Sequence, residues 1–493
     1  MDKNNSIIIG ADDFLKGISP SRYSGIEHIR NLDVFSKRGS VRIMPKMVAE
    51  TDNDIPTSAL LDFSAVNPDD GVVYFATNAT DTNIYSYNGS SWSTVSGATS
   101  GACRGLVIAN DYLFRARVSG GNVVVDRYGP ISSSPSWSNS WGTIRSSETS
   151  TRIPTIYGQD GIIYFGIKNK LSSISDVTSS GSINTNALDL PVGYNIQSLT
   201  ELGANLMIGA TMGDSVSSVG DIFPWDRVSS SFELPIQTGL PGIPIMYTKN
   251  NIIYAIGGRY GQVFVTNGTN VEQSFKINEL TDDAEVAMRT PSTDCIDAWN
   301  SGIVLGIGKS AGTDNGPCGV WILRDGALFF QTLSFGQTDA DGFEIGSIVA
   351  LDDYSLLVCW GDLTNNVYGV DVTTSSKRYT SYSAYLDTKI YQVGTRIKPK
   401  TFQGMHIKLA NPLSSGGGIK VSYRLNSSDS FTEIDSFEYG GGSGADNDNL
   451  GAIISIDHTP MNIPKCESIQ FRIALTATGS TSSTPELEYV EIY

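Results

Sequence analysis

The sequence predicts an all-β chain: a β-propeller of about seven four-stranded blades, with an N-terminal arm before it and a C-terminal β-sandwich after it. Three observations carry that reading. Sustained i, i+3, i+4, i+7 apolar spacing is almost absent; "DKNNSIIIGADDFLKGI" comes nearest, and Gly10 interrupts it. Glycine is abundant, at 51 residues, and connections rich in Ser, Thr and Asn cut the chain into short segments. One four-strand texture returns at steps of 40 to 53 residues.

The arm, residues 1–48, holds no copy of that texture. It carries a net charge of +3, whereas the whole chain stands at −17. Arg22, Arg30, Lys37, Arg38, Arg42 and Lys46 are set against only Glu27 and Asp33 between residues 22 and 46. Acidic bodies packed side by side repel, and arginine makes forked bonds to carboxylates. Those six residues are therefore the candidate inter-subunit contacts. An equally open reading folds the arm onto its own chain, with Val34, Phe35, Val41 and Ile43 supplying a strand.

Residues 49–376 form the repeat array. In "GVVYFATNATDTNIYSYNGSSWSTV" the run Val72–Ala76 is apolar, a polar loop follows, Ile84–Tyr87 makes another strand, and Trp92 opens one more after Asn88-Gly89. Asn-Gly between such runs is a strong hairpin signal, because a type I′ turn needs positive φ at both central residues. With "LLDFSAV" upstream, four strands form a meander. The second-strand signal returns around Val73, Leu113, Ile163, Leu206, Ile253, Val304 and Leu357, at steps of 40, 50, 43, 47, 51 and 53 residues. Asn267-Gly268 and Asp325-Gly326 repeat the later hairpin. Such a unit is the mark of propeller blades, each covered by its neighbours and closed into a ring. Six or eight blades also fit the unequal steps. A long sandwich array is the competing topology, and it leaves the regular return unexplained.

Residues 377–493 change texture. "MHIKLA", "GIKVSYRL", "AIISIDH", "SIQFRIALT" and "LEYVEIY" alternate inward and outward, with a Gly-rich loop at 440–444, as strands of a β-sandwich do.

Composition narrows the function classes. Five cysteines, odd in number and widely spaced, predict buried free thiols. The polar start offers no signal peptide, and no apolar run approaches the roughly 20 residues that span a bilayer. The expectation is synthesis in a cytoplasm without membrane insertion. A charge of −17 with no basic, aromatic-studded stripe argues against specific nucleic-acid binding, although acidic walls suit a passage that DNA traverses without sticking.

Chemical motifs fail one by one. "GKSAG" (308–312) matches G-x-S-x-G, but "TDNGPCGVW" cannot supply the helix that a nucleophile elbow needs. As a phosphate loop it lacks the required glycine, since position 303 is Ile. The segments 338–344 ("TDADGFE") and 444–449 ("ADNDN" after Gly444) gather oxygen ligands without calcium-loop spacing. His28, His406 and His458 are too few and too scattered for a zinc site or a Ser-His-Asp triad. A glycosidase-type carboxylate pair stays open, but the blade turns "YNGSSW" and "TNGTNV" lack the Asp of sialidase-type turns. No catalytic residue, metal site or cofactor site is expected.

Three segments together resemble virion proteins of tailed bacteriophages. "GISPSRYSGIEHIRNLDVFSKRGSVRI" is similar to the lead-in of tail-associated propeller proteins, the repeat array follows, and "KTFQGMHIKLANPLSSGGGIKVSYRLNSSDSFTEI" with "STPELEYVEIY" is similar to the sandwich that closes them. Nozzle proteins of short-tailed phages share this plan. The resemblance implies a non-enzymatic structural component of a virion tail (nozzle, hub or baseplate adaptor). Its partners would be other tail proteins and copies of itself, assembled as a symmetric ring, and no catalytic residues come with it. The alternative is a carbohydrate-binding or glycoside-hydrolysing propeller acting on the host surface. Tryptophans discriminate: a sugar site needs exposed Trp or Tyr at one mouth, whereas a structural ring buries Trp92, Trp137, Trp141 and Trp321.

Overall fold

The computed structural model describes residues 6–15, 26–34, 39–79, 83–213, 219–243, 245–257, 262–276, 294–299, 301–308, 319–324, 327–334, 343–352, 355–439, 454–478 and 484–493. The chain forms two compact units: Ala49–Gly319 with Gly336–Val372, and Met1–Val48 with Val320–Phe335 and Thr373–Tyr493.

The larger unit is all-β and propeller-like. Leu61–Val66, Val73–Thr77, Ile84–Tyr87 and Trp92–Val95 form one antiparallel meander, the one expected around "GVVYFAT". Four more follow, beginning at Cys103–Ala109, Thr155–Tyr157, Tyr194–Leu202 and Ile245–Lys249. Beyond them Ile296–Trp299 pairs with Gly302–Ile307, and Phe343–Ala350 pairs with Leu356–Asp362. The first strands of successive sheets touch one another in chain order, and Phe343–Ala350 touches Leu61–Val66, so the circle closes.

Burial follows from this arrangement. Separate apolar clusters fill five of the gaps between neighbouring sheets. Phe75, Tyr85, Tyr87 and Trp92 of the first sheet meet Val349, Leu357, Cys359 and Val370, which joins the two ends of the array. Ile163, Phe165 and Ile174 meet Phe114, Val125 and Ile144 in another gap. Each such side chain contributes about 1.5–3 kcal/mol when fully buried. Second strands often carry a very small residue where the next sheet presses in. A Cβ on Gly166 would lie 2.5 Å from Ile196 Cγ2, and one on Gly306 would lie 2.3 Å from Ile345 Cγ2.

The expected type I′ turn is not what Asn88-Gly89 makes. The loop is four residues long, and of the pair Gly89 alone has positive φ, at 90°. Asn88 Oδ1 accepts from the Ser90 and Ser91 amides at 3.0 and 2.9 Å, an Asx turn that competes with the tight hairpin. Asn267-Gly268 repeats this device between the third and fourth strands of its own sheet, with Gly268 at φ 98° and the Thr269 amide 3.0 Å from Asn267 Oδ1. Asp325-Gly326 lies outside the described residues.

The smaller unit joins both ends of the chain. Ile7–Gly10 pairs with the C-terminal strand Leu487–Ile492, which pairs in turn with Met405–Leu409 and then Ser455–His458. A second sheet runs Ile26–Arg30, Ala384–Thr388, Ser468–Thr476, Gly418–Arg424 and Thr432–Glu438. Ala327–Gln331 joins it in parallel at Arg30↔Phe330. Asn31 holds this junction. It is fully buried with φ 58°, its carboxamide donates to Ser383 O at 3.0 Å, and its Oδ1 accepts the Thr332 amide at 2.8 Å. Asn tolerates the left-handed region better than other non-glycine residues.

Candidate functional site

On three first strands of the larger unit the antiparallel register slips at the same place. Phe63 faces Ala76, Gly105 faces Ala116 and Ser198 faces Gly209, and the residue before each is left without a partner. Those residues are Asp62, Arg104 and Gln197. A bulge of this kind re-aims the side chain of the extra residue. Asp62 and Gln197 line one pocket, and Arg104 bonds to Asn78 and to the Thr151 carbonyl in its wall.

The pocket has a volume of about 650 Å³. Thr149, Ser150, Thr151 and Arg152 form one side, Asn195 and Gln197 another, and Lys168 and Glu344 complete the polar lining. Burial pushes the Asp62 carboxyl up to about 7; Glu344 and Asp294 add to the rise, while Arg152 and the Asn78 amide oppose it. Burial likewise pulls the Arg152 guanidinium down, against Cys295, Asp62, Asp294 and Glu344, which favour its charge. Asp62 therefore exchanges its proton near neutral pH and can both donate and accept hydrogen bonds.

A second cavity, of about 250 Å³, is lined by every first strand, including Ser64, Leu106, Thr155, Ser198, Tyr247 and Asp297. Its polar groups tie sheets together. Asp294 accepts the Ser64 amide at 2.6 Å, and Asp297 accepts the Ala350 amide at 2.8 Å. Thr155 donates to Leu106 O at 3.0 Å, and Ser198 donates to Ile243 O at 3.0 Å. Elsewhere Asp126 takes Arg115 at 2.6 Å and Arg117 at 2.7 Å, with all three side chains buried. Burial alone would raise the Asp126 carboxyl, but Arg117, the Ser140 amide and Arg115 hold it below its usual range.

Among the described residues no three His, Cys, Asp or Glu side chains are grouped to hold a metal ion. His406 pairs with Asp457 at 2.6 Å and His458 with Asp435 at 3.0 Å. The cysteines Cys103, Cys295, Cys359 and Cys466 are buried and unbridged. Ser310, residues 338–342 and residues 444–449 lie outside the described residues, while Glu344 lies at the start of the Phe343–Ala350 strand.

Half of the expected arm contacts are described, and two of those engage their own chain. The Arg30 guanidinium lies 5.2 Å from the Phe330 ring and 5.4 Å from that of Tyr385. Arg42 pairs with Asp33 at 3.1 Å. Lys46 is half-buried, and Arg22, Lys37, Arg38 and Phe35 lie outside the described residues. Val34, Val41 and Ile43 are buried within the smaller unit. Sequence reasoning missed Asp62, Arg104, Arg152 and Gln197, and it noted Glu344 only as the end of the 338–344 oxygen-rich segment. The usable signal was a polar residue directly before the first-strand position that faces Ala or Gly, as in "LLDF", "ACRG" and "NIQS".

No family model and no curated protein matches the sequence. Solved structures similar to it include a chain of the mitotic checkpoint complex, at 13% identity and TM-score 0.43, covering 66% of this chain and 91% of that one. Another is the computationally designed Ika8 protein, at 12% identity and TM-score 0.39, covering 70% and 96%. At that level of likeness neither carries an argument about function.

Proposed function

We propose that this chain is a non-enzymatic structural component of a bacteriophage tail, a nozzle, hub or baseplate-adaptor subunit. In this reading it has seven propeller blades and a C-terminal β-sandwich, acts in the virion tail, and contacts other tail proteins and copies of itself. One observation carries the structural role: polar groups around the cavity lined by the first strands are engaged in holding neighbouring sheets. The Asp294–Ser64 and Asp297–Ala350 bonds are of this kind, and carboxylates so engaged are not available as nucleophile or base. The sequence resemblance to tail-associated propeller proteins supplies the setting. The tryptophans speak against the host-surface sugar reading in its aromatic-platform form. Trp92, Trp225, Trp299, Trp321 and Trp360 are buried, while Trp137 and Trp141 are half-buried against neighbouring clusters.

Electron microscopy of the purified full chain tests the assembly. The reading expects closed symmetric rings of several copies. A monomer at all concentrations up to the micromolar range, or specific glycoside hydrolysis abolished by a carboxylate-to-amide change, overturns it.

A further inference from the structure

The three aligned bulges place an acid, a cation and an amide at equivalent positions of three different sheets. Two of them, Asp62 and Gln197, line the pocket, while Arg104 braces its wall through Asn78 and the Thr151 carbonyl. We propose that the pocket lined by Asp62 and Gln197 binds one unit of a neutral saccharide, held by these two side chains, Arg152, Glu344 and the hydroxyls of Thr149 and Thr151. This goes beyond the structural reading, which requires no ligand.

The pocket's chemistry selects the ligand. Its volume of about 650 Å³ lies in the range of small-molecule sites. Phe63 and Ile196 are the apolar members of the lining, too few to enclose a hydrophobic cofactor or a nucleobase. Glu344 and, when ionised, Asp62 offset Arg152 and Lys168, so a phosphate would meet at most one unbalanced cation. Carboxylates, amides, hydroxyls and a guanidinium side by side offer both donors and acceptors, and a sugar hydroxyl uses both. No hydrogen bond joins the Gln197 carboxamide or the Thr149 and Thr151 hydroxyls to another described residue, so all three are open to solvent or to a ligand. No tryptophan lines the pocket, so a single site binds weakly, and several copies in one ring would raise the avidity.

The test is saturation-transfer NMR and titration calorimetry on the full chain. The probes are neutral hexoses, N-acetylhexosamines and their disaccharides, with N-acetylneuraminic acid, glucuronic acid and inorganic phosphate as contrasts. At least one neutral saccharide should bind with a millimolar dissociation constant. Gln197→Ala and, separately, Glu344→Gln should each weaken it about ten-fold, with circular dichroism unchanged. Val228→Ser, at an exposed position outside the pocket lining, should leave binding as it was. The proposal is overturned if no neutral saccharide binds, if only the acidic probes do, or if binding survives Gln197→Ala undiminished.

Discussion

The Ser64 amide donates to the Asp294 carboxylate over 2.6 Å, although 230 residues separate the two. Ser64 sits on the first strand of the first sheet, and Asp294 shortly precedes the Ile296–Trp299 strand late in the array. The Asp294 carbonyl also accepts the Ile348 amide at 2.8 Å, so one residue ties together three strands around the cavity lined by the first strands. Asp294→Ala should destabilise the chain by about 2 kcal/mol, the range for a hydrogen bond to a charged partner, and Asp294→Asn by less than half of that. Urea unfolding of the two variants checks this, and equal losses would mean that the acceptor oxygen is not what matters.

Asp62 makes stability depend on pH in a defined direction. Its carboxyl titrates at about 7 in the fold and near 3.8 when unfolded, so between these values the folded chain holds more protons. Its contribution is complete below the unfolded value and is lost as pH rises through about 7. Asp62→Asn cannot ionise. The melting temperature of that variant relative to the natural chain should therefore climb between pH 4.5 and pH 8, by roughly one to three degrees. A difference that stays flat or falls across this range would contradict the assignment.

Asp126 lies between two buried guanidinium groups. Asp126→Ala leaves Arg115 and Arg117 buried with no carboxylate between them, at a cost of about 3–5 kcal/mol. Denaturation of the variant should show that loss in its midpoint, and salt should recover little of it because the cluster is shielded from solvent.

Two glycines separate backbone strain from close approach. Gly89 has φ 90°, and a Cβ added there would meet nothing within 4 Å, so Gly89→Ala costs conformational strain, about 1–2 kcal/mol. Gly105 has no positive φ, but a Cβ there would lie 2.2 Å from Ile153 O in the next sheet. Gly105→Ala must push two sheets apart and should cost at least twice as much, read from paired unfolding curves.

Much of the larger unit was legible because its information is local. Strand runs, polar turns and the recurring step give the meanders, and the small residues of second strands accompany them. What escaped was long-range. "VWILRDG" reads as one more repeat hairpin, and Gly319–Arg324 does pair antiparallel with Ala327–Gln331. What the reading lacked is that Arg30 meets Phe330 and Asn31 bonds to Thr332, so that Val320–Phe335 groups with the chain ends. No spacing rule encodes a contact between segments so far apart in the chain. The pocket was hidden for a related reason. A bulge breaks the two-residue alternation, so Asp62 and Gln197 look like ordinary polar interruptions until the register shows them to be the same position.

The central claim is a place in a virion tail. Immunogold electron microscopy of tailed particles from the source culture, with antibody raised against the purified chain, tests it most directly. The account predicts label confined to the tail, at a fixed distance from the head. Particles without label, in a culture where the protein is abundant outside them, would contradict it.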